Sequence, residues 1–159
     1  MLALELEKTL KEFLQEKFKD TLLEVPKKKA SELQVLRPIK VETGYLPPES
    51  ASSQVPCIVL RTSKQEEKSE NDGNIEVRFY VAIYNQDTSE GYATLMNYLS
   101  GIKNEIFSKY VFEKFTVTYP CRLTPYEEQM YPVWMGEVVM NFEAPTINRS
   151  TLSLLEEEL

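Results

Sequence analysis

Leu6, Leu10, Phe13, Leu14 and Phe18 recur at helical spacing, with Glu and Lys between them. This pattern predicts an amphipathic helix over 2–23, with Leu22 extending the stripe. Pro26 ends it, because the residue before a proline avoids the helical region. Ile39 and Val41 then alternate with Lys40 and Glu42, which predicts a short strand over 38–44. Residues 46–53 form a loop by composition. A second strand covers 55–62, with Pro56 at its start, where a missing N–H is tolerated. Residues 63–74 are almost entirely polar, and Asp72-Gly73 is a turn signal. An exposed, mobile hairpin loop is the expectation there.

The clearest strand follows. Ile75, Val77, Phe79, Val81 and Ile83 point one way; Glu76, Arg78, Tyr80, Ala82 and Tyr84 point the other. The first set predicts a core face. The tyrosine-bearing face suits either a wet surface or a protein interface. Asp87, Thr88 and Ser89 are all candidate N-caps for a second helix, with Glu90 in its first turn. Tyr92, Leu95, Met96, Leu99, Ile102, Ile106 and Phe107 form its stripe. Gly101 lies within that stripe, which predicts close packing against a strand. Two further strands come from the alternations Phe115, Val117, Tyr119 and Val138, Met140, Phe142. Between them lies 124–135, rich in Pro, Tyr and Glu.

Runs of strands with segregated helices predict an α+β fold. The expected arrangement is one domain over 1–147, with a mixed or antiparallel sheet of about five strands and both helices on one face. Residues 148–159 form a C-terminal tail whose three glutamates, Glu156 to Glu158, oppose a helix dipole. That tail frays unless it docks on a partner.

Composition narrows the function classes. The chain has 159 residues and a formal net charge of −7, with a pI near 4.8. An acidic chain lacks the clustered Lys and Arg of a phosphate-gripping surface. The run Lys27-Lys28-Lys29 reads as a solvated linker. With 0 histidines, Ser-His-Asp and Cys-His catalysis and His-based zinc sites have no base or ligand. Cys57 and Cys121 sit in apolar stretches and read as buried thiols rather than a disulfide. Charges interrupt the N-terminal apolar run, and no stretch approaches the roughly 20 apolar residues that span a bilayer. A cytosolic chain without membrane partners is the expectation.

Candidate chemistry is sparse. Glu127, Glu128 and Glu137 are the carboxylates nearest aromatic residues, but a catalytic carboxylate needs a pocket that shifts its pKa. No phosphate-cradling glycine loop, nucleophile elbow or spaced acidic calcium loop occurs, so no cofactor is implied. Tyr131-Pro132-Val133-Trp134 reads as a stacking platform or as a packed corner that orients the next strand. The packed corner is the commoner use of such a cluster.

One longer pattern remains. Asp87, Gly91, Leu95-Met96-Asn97, Ile102 and Phe107 lie along the second helix. Glu128-Gln129, Tyr131-Pro132, Trp134 and Gly136 lead into the last strand, and Phe142, Pro145 and Ile147 close the pattern. Over 87–147 the chain resembles the tail terminator, or tail completion, proteins of tailed bacteriophages and prophages, of the lambda type. The resemblance implies a non-catalytic α+β subunit of a homo-oligomeric ring, a hexamer in lambda-type proteins. Such a ring caps the tail-tube subunits, stops their polymerisation and then receives head-completion proteins. It would assemble in the host cytoplasm and end at the neck end of the virion tail. DNA would pass through the lumen without specific binding, which an acidic lining favours. A head–tail connector or other neck protein is the alternative in the same class. A small cytosolic ligand-binding or enzymatic domain is the alternative outside it.

A ring with heterologous contacts needs two different patches per subunit. Aromatic residues are enriched in interface cores. Tyr80 and Tyr84 on the strand over 75–84, with Tyr126, Tyr131 and Trp134, are therefore the candidate subunit-interface residues.

Overall fold

A computed structural model describes residues 2–27, 33–46, 54–69 and 72–144. The chain runs α1 (Leu2–Phe18), β1 (Leu22–Glu24), β2 (Leu36–Pro38), β3 (Lys40–Thr43), β4 (Cys57–Ser69), β5 (Asp72–Tyr84), α2 (Thr88–Lys109), β6 (Val111–Phe112), β7 (Phe115–Pro125) and β8 (Val133–Ala144). A 6-stranded sheet has the order β3-β4-β5-β8-β7-β6, and β1 pairs with β2 in a separate 2-stranded ribbon. β3 runs parallel to β4 and the other neighbours are antiparallel, so the sheet is mixed. The fold is α+β.

Both helices pack on one face of the sheet. From α1 come Leu6, Leu10 and Leu14, and from α2 Leu95, Leu99, Ile102 and Ile106. They meet the inward residues Ile75, Val77, Phe79, Val81 and Ile83 of β5, as the alternation predicts. Phe112, Phe115 and Phe142 fill the β6–β7–β8 side and are fully buried. Removing each such side chain from water contributes about 2–3 kcal/mol. Asp87 is the N-cap of α2: its side chain accepts the Glu90 N–H at 2.8 Å. Tyr92 lies 52% exposed at the helix start, and Tyr98 is buried in the stripe instead.

Four expectations are corrected. The first helix stops at Phe18 rather than 23, and Leu22 is an exposed residue of β1. Leu22, Leu23 and Glu24 pair with Pro38, Arg37 and Leu36, and helical periodicity cannot register that pairing. The polar stretch 63–74 is mostly strand. β4 continues to Ser69 and β5 begins at Asp72, with Glu67 opposite Gly73, so Asp72-Gly73 is ladder and not turn. These polar side chains face water while their backbone pairs with β5. An edge strand rich in Lys and Glu also resists pairing with a stray chain. Gly101 faces Phe18 of α1 at 3.5 Å rather than a strand. The sheet has six strands where about five were expected, because the two-residue β6 is too short to show as an alternation. The lysines at 28 and 29, the loop at 47–53, and Pro145, Ile147 and the C-terminal tail lie outside the described residues.

Candidate functional site

The residues that carry the resemblance converge on one corner, where the start of α2 meets the start of β8. Gly91 in the first turn of α2 lies against the Trp134 indole, and a methyl group there would sit 2.7 Å from Cε2 of the ring. The indole N–H donates to the Asn85 carbonyl at 2.9 Å. Tyr131 stands edge-on to Trp134, with centroids 6.3 Å apart, and its hydroxyl donates to the Gln86 carbonyl at 2.7 Å. The Gln129 amide donates to the carbonyls of Tyr126 (2.6 Å) and Met135 (2.8 Å), and its oxygen accepts the Met135 N–H at 2.6 Å. Gly136 admits the Thr124 carbonyl, which a Cβ would meet at 2.9 Å. These contacts clamp the helix to the last strand. Tyr131-Pro132-Val133-Trp134 is the packed corner that its sequence suggests.

Gly91→Ala tests that clamp. Overpacking a tight site costs about 1–3 kcal/mol, and alanine returns up to about 1 kcal/mol in helix propensity. The expected net loss is about 1–2 kcal/mol in a urea titration. Trp134 is the 1 tryptophan of the chain, so its fluorescence maximum should move as the ring is displaced. An unmoved maximum with full stability would show that the corner is loose.

The opposite face of the sheet carries no helix. At the end nearest this corner its floor is apolar. Val55, Cys57, Val59 and Ala82 are buried there under Leu46, Tyr80, Tyr84, Val133 and Met135. Together with Met130 they line an almost wholly apolar groove of about 400 Å³. Alternation alone creates it: Cys57 and Val59 lie opposite Ala82 and Tyr80, and Met135 opposite Ala82, all on the outward side of the pleat.

One register step away the face becomes cationic. Arg61, Arg78, Val139 and Arg122 form a row across β4, β5, β8 and β7. Arg78 lies between Glu76 (3.6 Å) and Glu137 (3.4 Å). The Arg61 guanidinium is sandwiched between Tyr45 and Tyr80, 4.1 Å from each ring centroid. Neither Arg61 nor Arg122 has a carboxylate partner among the described residues. Tyr126 lies beside this row, and burial and the nearby Glu137 carboxylate push its phenol above the usual range.

The five aromatic candidates therefore divide. Tyr80, Tyr84 and Tyr126 belong to the open face. Tyr131 is 57% exposed on the corner, and Trp134 packs on the helix side, against the main core. The groove residues Val59, Ala82, Val133 and Met135 are legible in the alternation, but only the pairing of three strands sets them side by side. Of the carboxylates, Glu127 and Glu128 are exposed and Glu137 is in its ion pair with Arg78. Cys57 floors the groove, Cys121 is half-buried, and both are free thiols; burial raises the pKa of each. Among the described residues no group of three His, Cys, Asp or Glu could hold a metal ion, and no helix is long and apolar enough to cross a membrane.

A scan against protein-family models finds no match, and a search of curated proteins finds none.

Proposed function

We propose that the chain is a structural subunit of the tail-terminator type. Copies of it form a ring on the end of a phage tail tube. The ring stops tube polymerisation and offers its other side to head-completion proteins. The observation that carries this reading is the apolar groove on the helix-free face. It lies open among the described residues, and contiguous exposed apolar surface of this kind marks protein–protein contact. The sequence pattern over 87–147 supplies the family, and the clamped corner gives its residues a physical reason to recur together: they hold the helix against the sheet. A hexamer, assembled in the host cytoplasm and retained at the neck end of the tail, follows from the same resemblance.

Light scattering on the purified chain, alone and mixed with the tail-tube subunit from the same genome, tests the reading. A species of ring mass in either sample is the expected result. A chain that stays monomeric and ignores the tube subunit would overturn it.

A further inference from the structure

The groove needs an occupant, and the same chain carries a surface of matching character. The ribbon formed by β1 and β2 exposes Leu22 (55%), Leu36 (48%), Val35 (58%) and Leu33 (90%). None of these four lines the groove of its own chain. The ribbon is anchored away from it instead. Arg37 donates to the carbonyls of Pro56 at 2.9 Å and Gln54 at 2.8 Å, and Leu23 packs into the main core. A rigid apolar ribbon that cannot fold over its own groove is free to cover another.

The charges agree. A cleft beside the ribbon is lined by Glu24, Asp87 and Glu90, with Lys27 as its cation. The groove has Lys40 at one edge, opposite Cys57, and Arg61 at another, opposite Arg78 next to Tyr80. Glu42 and Glu137 also border it, but each already has a cation, Lys11 at 3.4 Å and Arg78 at 3.4 Å. An acidic, leucine-tipped ribbon thus meets an apolar floor whose unpaired charges are positive.

We propose that the β1–β2 ribbon of one copy docks in the sheet-face groove of the next, with Leu33, Val35 and Leu36 on the floor formed by Cys57, Val59 and Met135. Ribbon and groove are different patches, so the contact is heterologous and repeats from copy to copy until it closes. The inference rests on the ring reading and names the contact that would build the ring.

Cys57 makes the pairing directly testable. Leu33→Cys, Val35→Cys and Leu36→Cys would each be placed in a Cys121→Ser background, leaving the groove thiol as the other cysteine. The full-length chains are then oxidised under the condition, alone or with tube subunit, in which the unsubstituted chain has ring mass. A disulfide requires Cβ atoms about 3.5–4.5 Å apart, so scanning three positions allows for the docking angle. The expected result is a ladder of covalent multimers on a non-reducing gel from at least one position, absent when Cys57 is also replaced by serine. Rings without any crosslink, or crosslinked dimers with no higher species, would overturn the ribbon-in-groove contact and leave the ring reading standing. A chain that forms no ring in any sample would overturn both.

Discussion

Phe142→Ala is expected to lower stability by about 3–5 kcal/mol, the range for emptying a buried aromatic site. Phe142 is fully buried in β8, between Ile75 of β5 and Val117 of β7, and stands edge-on to Phe112 at 6.3 Å. The loss combines burial, the edge-to-face contact and a cavity lined by strands that cannot collapse inward without breaking ladder hydrogen bonds. Since a domain of this size has only about 5–15 kcal/mol in total, the variant should be at least partly unfolded at physiological temperature. Urea titration measures it: the midpoint should fall while the slope holds. Phe142→Leu, which keeps most of the volume, should lose distinctly less. A loss under about 1 kcal/mol for the alanine variant would mean that this side of the core is not close-packed.

Met135→Asp should abolish ring assembly while sparing the subunit. Met135 is half-buried on the groove floor, opposite Ala82, with one side open. In a free subunit the new carboxylate keeps access to water, so its thermal unfolding should stay within a few degrees of the parent, on the order of 1 kcal/mol. Once a neighbour covers the groove, an unpaired carboxylate is buried, at a cost of several kcal/mol per contact. Each 1.4 kcal/mol is tenfold in affinity, so each contact should weaken by about 100-fold or more. A closed ring repeats the penalty at every joint. Light scattering should show monomer where the parent has ring mass, with thermal unfolding confirming an intact fold. A ring that tolerates the aspartate would remove the groove from the interface.

The elements with a strong period are legible in the residue order alone. The β5 alternation assigns every inward residue correctly, and the α2 stripe does so for Leu95, Leu99, Ile102 and Ile106. Asp87 is one of three adjacent cap candidates, and the geometry selects it because its carboxylate reaches the Glu90 amide. The segments that depart from expectation share one property: their backbone partners are distant in sequence or their composition suits two states. Leu22 to Glu24 continues a helical stripe yet pairs with Leu36 to Pro38. Lys64 to Ser69 reads as a solvated loop yet forms an edge strand, because side-chain polarity reports exposure and not pairing.

The candidate site is legible only in pieces. Tyr80 and Tyr84 stand out as an aromatic outward face, while Val55, Cys57 and Val59 read as an ordinary core strand. Their second buried face appears only when β4 is laid beside β5 and β8. The corner is the reverse case. Gly91 and Trp134 lie far apart in the chain, and nothing local says that the glycine is there to admit the indole.

The sequence by itself determined the α+β class, the amphipathic faces, the second helix cap and the absence of histidine chemistry. Each depends on the order of residue types along one segment, which period and capping rules read directly. The tertiary structure decided the rest: the apolar groove, the cationic row beside it, the clamped corner and the outward ribbon. Each is a juxtaposition of residues from separate strands, and strand pairing is set by the free energy of the whole core rather than by any one segment.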